Sequence, residues 1–253
     1  MYVPHERRAL ILRLLEQRGY LRTGSLAEEL GVTEETIRTD IIALHERKLL
    51  TRVHGGARYI PPMGGEEDKT RLDCQLAELV MGHIEAGMSL YLDSGSLAHV
   101  LLPMLAERAC RVFTPSLRLA LGAAAPALGV QITLPGGALD KESQYISCEE
   151  SGRSQLQRFR PDIALLLPPA LPSAGSVAYH HPARSEWAAE ASAAAKQTLI
   201  ATAAHAFYTQ APCSALCTPA LLITEDNLPP DFDHIPTELV PYLSPADLRR
   251  EEE

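Results

Sequence analysis

Apolar positions in the first sixty residues recur at helical spacing. Leu10, Ile11, Leu14 and Leu15 follow Pro4, a residue tolerated in a first helical turn, and predict one helix. Ser25–Leu30, with Leu26 and Leu30 one turn apart, predicts a short second helix that stops at Gly31, where positive φ carries no steric penalty. Thr33 suits an N-cap, and Glu34 and Glu35 place carboxylates in a first turn, so a third helix is expected from Glu34 to Arg47. Ile37, Ile41 and Leu44 share one of its faces. The opposite face carries Glu35 and Thr39, flanked by Thr36, Arg38 and Ile42. Leu50–Val53 and Ala57–Ile60 read as short strands around His54-Gly55-Gly56, with Arg52 and Arg58 beside the turn. Two helices joined by a tight glycine turn, followed by a basic hairpin, form the arrangement that sets a helix in the major groove of double-stranded DNA. The expected DNA contacts are Thr33, Glu35, Thr36, Arg38 and Thr39 on the helix and Arg52, His54, Gly55, Gly56 and Arg58 on the wing.

A different pattern begins further on. Pro61-Pro62-Met63-Gly64-Gly65-Glu66-Glu67-Asp68 combines helix breakers, flexible glycines and an acidic run, which marks residues 61–70 as a linker between a domain over 1–60 and another over 71–253. Strand-like and helix-like runs then alternate. Ser89–Leu92, Val112–Thr114, Gln131–Leu134, Ile163–Leu167, Thr198–Ala201 and Leu221–Thr224 read as strands. Leu72–Glu85, Leu97–Arg108, Leu117–Ala125, Glu149–Arg158 and Ser185–Lys196 read as helices. Alternation of this kind builds a mostly parallel sheet covered by helices, with ligands bound at the carboxyl ends of the strands.

Composition sharpens this picture. Of 253 residues 46% are hydrophobic and 5% aromatic, which favours helix-rich α/β packing over a β-sandwich. The net charge of −9 is uneven: residues 1–60 hold ten Lys/Arg against eight Asp/Glu, and the remainder thirteen against twenty-four. A DNA-docking head on an acidic body has this distribution. No apolar run approaches the ~20 residues of a membrane span. The N-terminus lacks the features of a secretion signal, and five scattered cysteines suit reduced thiols, so a cytoplasmic location is expected.

Three loops in the second domain carry candidate chemistry. Asp93-Ser94-Gly95-Ser96 places amides and hydroxyls at a helix start suited to an anion, and Asp93 is expected to accept bonds from sugar hydroxyls. Thr114-Pro115-Ser116 repeats the device, and Gly136-Gly137 admits close backbone approach. Caps and turns account for the same residues without any ligand. Trp187, near Arg184 and Glu186, suits a pocket wall, but a lone tryptophan at a helix start is more often packing. Cys213, Cys217, His205 and His180-His181 lack the spacing of a zinc site, so no metal is expected, nor any cofactor. Asp93, Lys141 and Glu186 are conceivable acid–base groups, but no catalytic spacing accompanies them and an enzyme is not expected.

Specific motifs resemble a known family. Glu6-Arg7-Arg8 with Ile11-Leu12, Leu26-Ala27-Glu28-Glu29-Leu30-Gly31-Val32-Thr33, Thr36-Ile37-Arg38 with Asp40, and Arg52-Val53-His54-Gly55-Gly56-Ala57 resemble the head of the DeoR family of bacterial regulators. The likeness continues through Leu92-Asp93-Ser94-Gly95-Ser96, Gly136-Gly137 and Leu222-Ile223-Thr224. It implies an α/β protein with an N-terminal winged helix-turn-helix and a Rossmann-like, isomerase-like α/β effector domain. It further implies a homodimer or homotetramer that represses genes of sugar or related carbon metabolism and is released by a sugar phosphate or related metabolite. The effector contacts expected are Asp93, Ser94, Gly95, Ser96, Thr114, Ser116, Gly136, Gly137, Lys141 and His205. Four departures matter. Thr39 replaces a basic residue, Thr114-Pro115 a Thr-Asn pair, Leu167-Pro168-Pro169-Ala170 a glycine-rich loop, and Thr202-Ala203-Ala204-His205 an Asp-x-x-Lys run. A phosphate wants a fixed cation, so the last change predicts either an effector other than a typical sugar phosphate or no sensing. A DNA-binding protein whose α/β domain only oligomerises is the alternative, ahead of an isomerase-like enzyme.

Overall fold

The computed structural model describes residues 4–18, 20–46, 50–53, 55–59, 66–123, 129–207, 209–226, 228–229 and 232–240. They fall into two compact units, whose described residues are 4–59 and 66–240. His54, Arg47, Ile60, the first half of the expected linker and residues 241–253 lie outside the described residues.

The described part of the first unit runs α1 (Pro4–Arg18), β1 (Tyr20–Arg22), α2 (Thr23–Leu30), α3 (Glu34–Glu46), β2 (Leu50–Val53) and β3 (Gly56–Tyr59). Ile11 and Leu15 of α1, Leu26 and Leu30 of α2, and Ile37, Ile41 and Leu44 of α3 are buried together. Each such side chain contributes about 1.5–3 kcal/mol by leaving water. Gly31 ends α2 at φ 63°, and the Val32 amide closes the turn on the Ala27 carbonyl. The strands form an antiparallel sheet in the order β1-β3-β2. Strand β1 was not expected, since three residues leave too short an alternation to read. It fixes Gly56: a Cβ there would lie 2.3 Å from the Leu21 carbonyl oxygen, so only glycine lets β3 approach β1 this closely.

The second unit opens with α4 (Glu66–Gly82), which takes in residues 66–70 of the expected linker. Its acidic opening is a favourable helix start as much as a solvated spacer. There follow β4 (Ser89–Leu92), α5 (Ser96–Glu107), β5 (Arg111–Phe113), α6 (Leu117–Ala123), β6 (Gln131–Thr133) and the hairpin β7 (Leu139–Asp140) and β8 (Tyr145–Ile146). Then come α7 (Glu150–Phe159), β9 (Ile163–Leu166), β10 (Ala170–Ser173), β11 (Ser176–Tyr179), α8 (Pro182–Ala194), β12 (Gln197–Ala201), a 3-10 turn at Ala204–Phe207, β13 (Cys213–Leu216), β14 (Leu221–Glu225) and β15 (Thr237–Val240). All six predicted strands are present, Ser89–Leu92 with the predicted bounds and the other five with ends shifted by one residue. The structure adds β15 and a small antiparallel sheet, β10-β11-β13.

The main sheet is wholly parallel in the order β15-β14-β12-β9-β4-β5-β6. The chain enters at β4, moves outward through β5 and β6, then returns to β9 on the other side of β4. That order is doubly wound, and its switch point lies between β4 and β9. Both faces are covered: Leu90 and Leu92 of β4 pack into one buried cluster, Tyr91 into another with Phe113, Tyr145, Tyr179 and Trp187. Burial on two sides explains why the central strands read as unbroken apolar runs. Trp187 is packing: its ring lies against Gly152, where a Cβ would come within 2.9 Å, and its Nε1 donates to the Ile146 carbonyl at 2.7 Å.

Candidate functional site

In the first unit, Thr33 caps α3 as predicted, its hydroxyl accepting from the Thr36 amide at 3.3 Å. Glu35, Arg38 and Thr39 project from the helix to solvent, and Thr36 is half-buried. Arg38 is held by two glutamates of its own helix, with Nη2 2.8 Å from Glu34 and Nη1 3.4 Å from Glu35. Thr39 donates to the Glu35 carbonyl at 3.0 Å, an i−4 bond that occupies its proton. An open cleft of about 560 Å³ runs beside this face, and Arg22, Arg38 and Arg52 line it together with Gly55 and Gly56. Arg22 was missed because it precedes α2 on an unanticipated strand. Arg52, expected to meet phosphate, is exposed on β2 and lines this cleft. Arg58 does not line this cleft; its guanidinium lies 5.7 Å from the Tyr20 ring centroid.

Two family-motif features prove to be framework. Asp40 is buried on α3 and accepts from Nε of Arg7 and, at 2.8 Å, from Nε of Arg8. The ion cluster ties α1 to the back of α3, which orients the helix without touching its outer face. Gly55, at φ 77°, turns the wing, and its carbonyl accepts from the Thr23 amide at 2.9 Å.

In the second unit, Asp93 ends β4 at the switch point and is buried. Its Oδ1 accepts from the Ser94 amide at 2.8 Å, the Tyr145 hydroxyl at 2.6 Å and Nη2 of Arg184 at 3.0 Å. Its Oδ2 accepts from the Leu167 amide at 3.1 Å and again from Arg184 at 3.1 Å. A carboxylate offers about four acceptor positions, so Asp93 is fully occupied. The expectation that it takes ligand hydroxyls is therefore corrected: Asp93 bolts β4 to β9, β8 and α8. Burial pushes the pKa of Arg184 down, but Asp93, Tyr145 and Tyr179 together outweigh it and the net shift is upward.

The remaining expected contacts separate. Ser94 is half-buried, its hydroxyl 2.9 Å from the Tyr145 hydroxyl, while Gly95 and Ser96 are exposed. Thr114 and Ser116 are buried caps, bonded to the amides of Ser116 and Leu119. Gly136 is exposed, with its amide donating to Gln155, and Gly137 is pressed to within 3.0 Å of the Ile146 side chain at a notional Cβ. Lys141 is exposed between β7 and β8. His205 is half-buried, and burial, followed by the charge of Lys69, lowers its pKa, so it is a neutral ring near pH 7. Arg184, Tyr91, Tyr145 and Tyr179, the polar groups gathered around Asp93, were not among the expected contacts. Glu186, weighed as an acid–base group, is exposed on α8.

These two units define a helix-turn-helix protein with a doubly wound α/β domain. Residues 7–62 match the DeoR-like helix-turn-helix domain and residues 71–224 the DeoR C terminal sensor domain, and the chain belongs to the DeoR family of transcriptional regulators. It is 31% identical over 175 residues to the HTH-type transcriptional repressor CsqR of Escherichia coli, covering 66% of each chain. It is also 31% identical over 105 residues to the lactose phosphotransferase system repressor of Staphylococcus aureus, covering 38% of this chain and 42% of that protein. The chain thus spans about two thirds or less of the curated relatives it matches. Ribose 5-phosphate isomerase A of Methanocaldococcus jannaschii is similar with a TM-score of 0.37 at 13% identity, covering 54% of this chain and 52% of that one. Among the described residues, no helix is long and apolar enough to cross a membrane.

Proposed function

We propose that the chain is a cytoplasmic DNA-binding repressor of genes for sugar or related carbon metabolism. It acts as a homo-oligomer that presents paired winged helices to an operator and is released by a small metabolite. The observation that carries the reading is the outer face of α3, where Arg38 stands exposed in a cleft shared with Arg22 and Arg52. Glu28, Glu34 and Glu35 line the same cleft, so its three guanidiniums suit contact with phosphate and base edges once DNA takes the place of these surface carboxylates. The full occupation of Asp93 argues against its acting as an acid or base at the switch point, since its carboxylate has no free acceptor position.

Release follows from mass action: an effector that prefers the non-binding arrangement draws the population away from DNA by its differential affinity. The test is binding selection from genomic fragments with the purified chain, followed by gel-shift titration of the recovered sites. Sites near genes of carbon metabolism, lost on addition of a metabolite, are the expected outcome. Binding equally tight to every fragment would overturn the operator reading, and operator affinity indifferent to every metabolite would favour an α/β domain that only oligomerises.

A further inference from the structure

The polar shell around Asp93 is unevenly satisfied. Tyr145 uses its hydroxyl fully, on Asp93 and Ser94. Tyr91 on β4 and Tyr179 on β11 are completely buried, yet neither phenol oxygen has a hydrogen-bond partner, and the same holds for Nε of Arg184. Buried polar groups are nearly always paired, so three orphans in one neighbourhood call for an explanation. Tyr91 lies two residues before Asp93 on the same face of β4, and the Arg184 guanidinium stacks 4.7 Å from the Tyr179 ring centroid and 5.4 Å from that of Tyr145. The neighbourhood lies at the switch point, where a doubly wound sheet binds its ligand, and Arg184 reaches the Ser94 carbonyl at 2.8 Å, next in sequence to the exposed Gly95 and Ser96.

Its chemistry limits what fits. Burial, followed by the Asp93 charge, raises the pKa of both Tyr91 and Tyr179, so both remain protonated donors, as is the Arg184 N–H. Donors of this kind require oxygen acceptors. The only full charges among them, Asp93 and Arg184, already cancel. A phosphate group seated here would set its charge beside Asp93 with no unpaired cation among these groups to meet it; Lys69 acts on the neutral ring of His205 but is not among the charges that act on Tyr91, Tyr179 or Arg184. We infer that Tyr91, Tyr179 and Arg184 form the polar floor of an effector site for an uncharged, oxygen-rich molecule, a free sugar or polyol rather than its phosphate. The inference rests on the effector-regulated reading proposed above.

Thermal unfolding and operator titration of the full chain test it, with D-ribose, D-glucose and D-mannitol as uncharged probes and ribose 5-phosphate and glucose 6-phosphate as charged ones, all at millimolar concentration. One or more uncharged probes should raise Tm and weaken operator binding by about tenfold, a usual size for such coupling, while the phosphates do neither. Tyr91→Phe and Tyr179→Phe should leave Tm without probe unchanged or higher, because each deletes an unpaired hydroxyl, and should abolish the probe response. Responses to the phosphates that persist in both variants would overturn this inference while leaving effector regulation intact. Variants that lower Tm on their own and leave every probe response as in the parent would assign the hydroxyls to ordered water alone. Operator binding and Tm that ignore all five probes would overturn this site, whereas the effector-regulated reading falls only if operator affinity is indifferent to every metabolite.

Discussion

Arg38 and Arg184 each face carboxylates, and the difference between them separates the two units. Arg38 is 57% exposed and its partners Glu34 and Glu35 are more than half exposed, so the bonds are worth about 0–1 kcal/mol and weaken further in salt. Such a pair exchanges readily for guanine or phosphate. Arg184 is 18% exposed against an Asp93 at 2%, and exchange there would strand a buried charge. The head therefore keeps its cations in reserve at the surface, whereas the sensor uses its buried cation as framework. Asp40 belongs with the second kind, since it meets Arg7 and Arg8 from inside α3.

The largest expected effect follows from breaking the buried pair. Asp93→Ala should destabilise the second unit by about 3–5 kcal/mol, because Arg184 keeps its charge and loses its main acceptor. Trp187, the single tryptophan, is buried in that unit, so its fluorescence during urea unfolding reads the change. A loss below about 1 kcal/mol would place the pair among exchangeable surface contacts and erase the contrast. Asp40→Ala should cost about 3 kcal/mol, the low end of the same range, since Arg8 remains one-third exposed. Circular dichroism during urea unfolding measures it, and operator binding should fall alongside.

How legible each kind was in the sequence follows the same division. The outer face of α3 lies within thirteen consecutive residues, so helical periodicity and a Thr cap were sufficient to place Glu35, Arg38 and Thr39 outward. Asp93 looked like a ligand contact because its neighbours in sequence are Ser and Gly. Its actual partners Tyr145, Leu167 and Arg184 stand 52, 74 and 91 positions away, beyond any local pattern. The antiparallel strands escaped for a related reason: Ala-Leu-Pro-Ser, Ser-Val-Ala-Tyr and Cys-Ser-Ala-Leu are short, and tertiary pairing rather than propensity holds them. The order of the main sheet was legible only as an alternation of strands and helices; the switch point needed the pairing of β4 with β9.

Smaller effects sharpen the head. Arg38→Ala should change stability by less than about 0.5 kcal/mol but weaken specific operator binding by about 1–3 kcal/mol, with little effect on random duplex. Arg52→Ala should instead weaken both duplexes alike and reduce the salt slope of log K by about 1. Arg58, stacked over Tyr20, should act on the wing itself: Arg58→Ala should lower stability by about 0.5–1 kcal/mol and leave the salt slope nearly unchanged. Gel-shift titrations at several salt concentrations check all three. A salt-slope loss for Arg58 equal to that for Arg52 would return Arg58 to the phosphate-contact set.

The smallest expected effect lies at the opposite end of the sheet from Asp93. Asp162, just before β9, accepts from Nζ of Lys196 at 2.6 Å and from the Ser89 amide and hydroxyl, both at 2.8 Å. The Lys196 bond, then the Ser89 amide, lowers its pKa from 3.8 to about 2. A carboxyl depressed on folding contributes stability that is fully present above its unfolded value and disappears as pH falls through its folded value. The contribution should therefore fade between about pH 4 and pH 2 as the folded form takes up its proton. Lys196 is 76% exposed, so screening keeps the effect modest and added salt should shrink it. Urea midpoints of the parent chain and Asp162→Asn, followed downward through that window, should converge. A constant gap between them would mean that Asp162 holds β4 and β9 by geometry alone, with no contribution from its charge.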